Sequence, residues 1–294
     1  MFRLAYNTNG LAHHRLGDAL TLLADLGYEG VAITPDVGEL DPLRPNPAFV
    51  RELRAQADDL GLELAIETGA RFVLDPRRKH RPSLLETAPL ERERRVDFYR
   101  RSIDLAADLG APLVSIWAGV APDGERGDAP GADRARTEPC WERLVAGLGP
   151  VLDHARTRSV RVCFEPEPGM FVERPSGYLE LVSRLGSRGR ELGLTLDVGH
   201  LLVTGDLPVE RWIHDLRPFL AHVHLDDIRA GVHEHRMFGQ GDLDLPRTLK
   251  ALQEVAYAGM AAVELSRDSH RGAQAAEEAL ERIRAAILNT TRPC

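Results

Sequence analysis

The sequence predicts an α/β fold, a closed parallel (β/α)8 barrel, and three observations point there. Short apolar runs alternate with amphipathic stretches along the whole chain. The phrases ADLGYEGVAIT, DDLGLELAIET and ADLGAPLVSIW repeat one pattern of helix end, glycine turn and strand, as stacked βα units do. At 294 residues without a linker-like break, the chain has the length of one such barrel, so a single domain over 1–294 is expected. An open doubly wound sheet is the main rival. It would usually carry a glycine-rich phosphate loop after its first strand, and NTNGLAHH is a poor match.

The elements follow in order. Strands are expected at Arg3–Asn7, Gly30–Thr34, Glu63–Thr68, Pro112–Trp117, Arg161–Glu165, Leu194–Asp197, Ala221–Leu225 and Met260–Leu265. Between them, Leu16, Leu20 and Leu23 make one apolar helix face, and Phe49, Leu53, Ala57 and Leu60 make a second. Later helices are expected near 91–109, 138–157, 176–186, 208–217, 246–256 and 273–288. Gly27, Gly61, Gly110 and Gly186 read as helix stops, and Pro208 and Pro246 as first-turn residues. Long loops at 69–89, 118–137 and 229–241 follow strands, so in a barrel they lie over the mouth. The first of them carries the basic run Arg77, Arg78, Lys79, His80 and Arg81, which reads as solvated surface or as a contact for an anionic substrate group or a partner subunit.

Composition narrows the function. A net charge of -8 argues against a general nucleic-acid binder, which needs a basic face. The three cysteines, Cys140, Cys163 and Cys294, are widely spaced and write no disulfide framework or zinc knuckle, so a reducing, cytoplasmic setting is expected. No apolar run approaches membrane-spanning length, and MFRLAYNTNG reads as the first strand and not as a signal peptide.

The polar residues gather at the strand ends. Six of the chain's 11 histidines lie between His200 and His235. Strand 5 ends in Glu165, strand 6 in Asp197, strand 7 delivers His224 and strand 8 delivers Glu264. C-terminal strand ends converge in a barrel, so these four form a cage of three carboxylates and one imidazole. Asp197 also reads as a helix cap; the histidines one strand later favour the ligand. Mostly oxygen donors with one nitrogen suit Mn²⁺ first, with Mg²⁺, Co²⁺ and Zn²⁺ as alternatives. His222 and His224 point the same way by period two, and His222 is expected as the buried one. Glu67 and Trp117 end strands 3 and 4, where they are expected to line the mouth and contact substrate; a core Trp is the plain alternative for Trp117.

As a set, FEPEPGM at 164–170, LDVGH at 196–200, HVHLDD at 222–227, HEHRMFGQGD at 233–242 and VEL at 263–265 resemble the xylose isomerase-like TIM-barrel superfamily. That group holds sugar isomerases and epimerases together with endonuclease IV-type enzymes. The resemblance runs from the first strand to the last. It implies a metal held by Glu165, Asp197, His224 and Glu264, with His200 in contact with substrate. His235 matches a histidine that binds substrate or a further metal. The endonuclease branch builds a three-metal cluster with extra histidines where this chain has Glu67 and Trp117, and has an acid where this chain has His233, so a repair nuclease is disfavoured.

The expected function is a divalent-metal-dependent isomerase or epimerase acting on a keto sugar, sugar phosphate or related polyol, with Glu165 and Glu264 moving protons through an enediolate. The alternative is a metal-dependent dehydratase or lyase on a keto-cyclitol or keto-glycoside. A non-catalytic sugar-binding barrel ranks lower, because both acids of the pair are present. A small-molecule partner is expected, without nucleic acid or membrane; homodimers are common among barrels of this size.

Overall fold

The computed structural model describes residues 2–35, 39–69 and 71–290. Eight parallel strands close into a barrel: β1 (Arg3–Asn7), β2 (Gly30–Ile33), β3 (Glu63–Glu67), β4 (Leu113–Ile116), β5 (Arg161–Phe164), β6 (Gly193–Asp197), β7 (Leu220–Leu225) and, last in the chain, β10 (Met260–Val263). A separate antiparallel pair, β8 (Asp227–Arg229) and β9 (Val232–Arg236), is inserted after β7. The helices are α1 (Leu16–Leu26), α2 (Pro47–Leu60), α3 (Pro89–Leu109), α4 (Arg134–Arg158), α5 (Pro175–Arg184), α6 (Val198–Thr204), α7 (Val209–Asp215), α8 (Leu245–Glu254) and α9 (Gly272–Thr290). All eight expected strands are present, within a residue or two at their ends.

Two compact units divide the fold. One holds the chain up to Ile33, Ala55–Glu63 and the stretch from Thr195 onward; the other holds Thr34–Arg54 and Leu64–Leu194. In the first, β1 pairs with β2 and β10, and β10 pairs with β7, all parallel and in continuous register. In the second, β4 joins β3 to β5.

Helix faces follow their sequence pattern. On α1, Leu16, Ala19, Leu20 and Leu23 are buried, the spacing of a single helical stripe. Each fully buried leucine contributes about 1.5–3 kcal/mol to the core. On α2 the buried stripe is Val50, Leu53 and Ala57, with Phe49 only half-buried. Gly27 and Gly110 close α1 and α3 in the left-handed conformation at φ 96° and 75°, where a side chain would be strained.

One boundary and two further elements differ from the sequence reading. Helix α4 starts four residues before 138, because Asp133 caps it and accepts from the Ala135 N–H. The helix α6, absent from the expected set, begins directly after Asp197. Within 229–241, expected as loop, lies the β8–β9 hairpin, turned through Ala230 and Gly231 at φ 52° and 68°. Among the described residues no helix is long and apolar enough to cross a membrane. Cys140 and Cys163 are free and buried, and Cys294 lies outside the described residues.

Candidate active site

Three of the four expected metal ligands lie in the first unit. Asp197 is the last residue of β6, His224 the fifth of β7, and Glu264 follows β10. Their potential ligand atoms all lie within 4.8 Å of one another. His224 Nδ1 is 3.0 Å from Glu264 Oε2 and 3.7 Å from Asp197 Oδ2. Of the two roles that the sequence offered Asp197, the structure shows the cap. Oδ1 accepts the His200 backbone N–H at 2.9 Å and caps α6. Oδ2 is buried and makes no hydrogen bond among the described residues, with His200 Nε2 at 3.6 Å and His224 Nδ1 at 3.7 Å. A buried carboxylate oxygen left this way is costly unless a cation completes it. Two carboxylates and an imidazole around that oxygen fit a divalent cation of the Mn²⁺ or Zn²⁺ kind.

Burial alone would raise both carboxyls. For Asp197 the surrounding rings of His200, His224 and His235 outweigh burial and hold it well below the usual carboxylate range. Glu264 is likewise held low by His235 and His224 against burial. Both are therefore ionised at neutral pH, as a cation site requires. Burial pushes His200 down to about 4 against the pull of Asp197.

A second layer comes from the hairpin. Strand β9 presents His233 and His235 on one face by period two. His235 Nδ1 contacts Asp226 Oδ2 at 2.8 Å, and His233 Nε2 lies 3.1 Å from His200 Nε2. His235 Nε2 is 4.0 Å from Glu264 Oε1. Burial, reinforced by Asp197, pushes Asp226 up to about 8 against the pull of His235. The Gly199 N–H also donates to Asp226 Oδ1, and a side chain at Gly199 would collide with that carboxylate. The neighbouring Asp227 has a different task. It accepts from the backbone N–H groups of Ile228, Gly239, Gly241 and Leu243, and so folds the GQG turn onto the base of the hairpin. His222, as expected, is buried, with its ring edge-on to His224 at 5.0 Å between centroids.

The remaining expected residues lie in the second unit. Glu165 follows β5 and is buried; Glu67 ends β3 and is buried. Trp117 follows β4 with 6% of its surface exposed, its ring edge-on to His80 at 5.3 Å and 5.8 Å from the Arg95 guanidinium. Arg95 is itself buried and donates to the carbonyls of Pro82 and His80, which fastens the loop before α3. Within the basic run, Arg78 pairs with Asp75 and with Glu91 of α3, and Arg81 with Glu86, so these two charges have partners in the loop and at the start of α3.

Sequence reasoning missed one contact. Asn9, just beyond β1, donates from Nδ2 to Glu264 Oε1 at 2.8 Å. Only the pairing of β1 with β10, with Tyr6 opposite Val263, brings them together.

A family model described as xylose isomerase-like TIM barrel matches residues 20–286. The chain belongs to that family. Among solved structures, this xylose isomerase-like barrel is similar to L-ribulose 3-epimerase, with a TM-score of 0.76 at 19% identity over 99% of this chain and 96% of that one. It is similar also to the IolI protein solved with a bound zinc atom, with a TM-score of 0.74 at 16% identity over 99% and 100% of the two chains. At these identities the likeness speaks for the fold alone. Among curated proteins, inosose dehydratase of Lacticaseibacillus casei is 27% identical over 150 residues, 45% of this chain and 49% of that protein. The aligned stretches cover 62% and 49% of the length of the first two curated relatives matched.

Proposed function

We propose that the chain works as one barrel domain over 1–294 and is a divalent-metal-dependent isomerase or epimerase of a keto sugar or related polyol. The observation that carries this reading is the Asp197, His224 and Glu264 cluster, with one buried Asp197 oxygen lacking a hydrogen bond among the described residues. Glu165 is the proposed fourth ligand. It follows β5, the neighbour of β6 in the strand order, and the family resemblance assigns it that role. Mn²⁺ is the proposed ion; the zinc in the IolI structure makes Zn²⁺ the next to try.

When bound, the cation would polarise a substrate carbonyl and favour ionisation of the adjacent C–H. Glu264, held ionised by His224 and His235, takes the proton from that carbon. Glu165 is the proposed group that returns a proton. Return to the same carbon gives epimerisation, and return to the neighbouring carbon gives aldose–ketose isomerisation. His235, its Nδ1 engaged by Asp226, turns Nε2 toward Glu264, where it can donate to a substrate oxygen. His200 contacts substrate from the start of α6. Glu67 and Trp117 are proposed substrate contacts at the ends of β3 and β4.

The similarity to inosose dehydratase supports a second reading, in which a hydroxyl β to the carbonyl leaves after the same proton abstraction. The two readings differ in their products. The test is solvent deuterium uptake by D-allulose, L-ribulose and inosose with the Mn²⁺-loaded protein. Uptake without loss of water supports the epimerase; a new enone absorbance supports the dehydratase. Glu264→Gln should lower uptake by about 10²–10⁴-fold with metal retained. Undiminished uptake in that variant would contradict the two-glutamate mechanism.

A further inference from the structure

The geometry points to Asn9 as a substrate-recognition residue: its amide N–H fixes Oε1 of Glu264, and its Oδ1 accepts from a substrate hydroxyl beside the carbon that Glu264 deprotonates. The inference rests on the proposed role of Glu264. Two observations carry it. Asn9 Nδ2 lies 2.8 Å from Glu264 Oε1. Asn9 Oδ1 is buried and has no hydrogen-bond partner among the described residues.

The orientation of the amide follows from chemistry. An ionised carboxylate only accepts, so the NH₂ end of Asn9 must face Glu264 and the carbonyl end must face away. The residue is held in place. Asn7 caps the short 3₁₀ turn Thr8–Leu11 and accepts the Asn9 N–H at 3.1 Å. Next to Asn9, Gly10 approaches Tyr6 and the Leu265 carbonyl so closely that a Cβ there would collide with the tyrosine ring. The turn therefore cannot back away without losing that packing. What remains is a fixed acceptor beside the proposed base, which nothing among the described residues satisfies. A buried acceptor of this kind selects for a donor. A hydroxyl fits; a phosphate, a carboxylate or a bare methylene at the same place does not.

One oxygen of Glu264 is engaged by His224 and the other by Asn9. The Asn9 contact thus sets which way the Oε1 lone pairs point. Losing it should lower the rate of proton transfer as well as binding, and this distinguishes Asn9 from a residue that only supports the fold.

The experiment compares wild type, Asn9→Leu, Asn9→Ser and Glu264→Gln, all Mn²⁺-loaded. Deuterium uptake is measured on whichever of D-allulose, L-ribulose and inosose exchanges fastest, and on its analogue lacking the hydroxyl beyond the reacting carbon. Metal content and melting temperature are recorded for each variant, and Asn9→Ser serves where the leucine disturbs folding. The expected result is a loss of about 10²-fold in kcat/KM on the full substrate, shared between kcat and KM, with metal retained. Wild type should discriminate strongly against the deoxy analogue, and both Asn9 variants should lose that discrimination. Equal discrimination by wild type and the Asn9 variants overturns the inference. So does unchanged exchange in the Asn9 variants when Glu264→Gln is inactive. If Glu264→Gln keeps full exchange, or wild type exchanges none of the three sugars, the reading of Glu264 fails and the Asn9 inference falls with it.

Discussion

His235 and Asp226 meet through Nδ1 and Oδ2 at 2.8 Å, on a hairpin strand and at the end of a barrel strand respectively. Burial by itself would lower the imidazole. The carboxylates of Glu264 and Asp226 outweigh it and lift His235 well above its ordinary value. The pair ties the hairpin to the barrel and fixes which ring nitrogen faces Glu264.

Asp226→Asn tests this tie. The folded values of His235 and Asp226 both lie above their unfolded ones, Asp226 at about 8, so the protonated forms of both groups stabilise the metal-free protein at lower pH. The contribution fades as pH rises through the folded values. In Asp226→Asn the His235 titration should move downward by NMR. Urea midpoints should then decline less between neutral and alkaline pH than in wild type. An unmoved titration would mean that Glu264 alone sets it.

Asp227 makes a sharper stability prediction. It satisfies four backbone N–H groups, of Ile228, Gly239, Gly241 and Leu243, from a fully buried position. Hydrogen bonds to a charged acceptor are worth about 1.5–3 kcal/mol each, and orphaned buried donors cost more. Asp227→Ala should therefore lose about 3 kcal/mol or more, read as a lower urea midpoint. A loss near the surface-mutation level of about 0.5 kcal/mol would contradict the assignment.

The second unit carries a separate pH response. Burial first, then Lys79, Arg95 and Arg71, pushes His80 down to about 4. In the unfolded chain it titrates near about 6.5, so the unfolded state binds more protons between the two values. Stability should fall as pH drops from about 6.5 toward 4. His80→Asn removes the titration and suits the left-handed φ of 62° at this position. Its urea midpoint should vary less over that pH range, even if its stability at neutral pH is lower. An unchanged slope would assign the pH response to other groups.

The parts of the site that were legible in the sequence are those written by local pattern. An apolar run fixes a strand, and the acid or histidine at its end is then brought to the mouth by topology; Asp197, His224 and Glu264 were readable for that reason. The cap and ligand readings of Asp197 compete in the sequence; the structure shows Oδ1 as the cap and leaves Oδ2 without a hydrogen bond among the described residues. What depended on tertiary pairing was not legible. Asn9 stands 255 positions from Glu264 and meets it only through the β1–β10 pairing. The β8–β9 hairpin hides in a short polar stretch whose alternating histidines read first as a ligand cluster. Asp226 and Asp227 are adjacent and chemically identical, yet one holds an imidazole and the other a backbone turn. Only the positions of their neighbours separate them.

The central claim is a divalent-cation site built on Asp197. Calorimetric titration of the metal-stripped protein with Mn²⁺, for wild type and Asp197→Ala side by side, tests it most directly. The account expects about one ion per chain for wild type and at least a 10²-fold weaker site in the variant, since a buried ligand and its charge are both lost. Equal affinity in the two proteins, or no binding of either Mn²⁺ or Zn²⁺ by wild type, would contradict it.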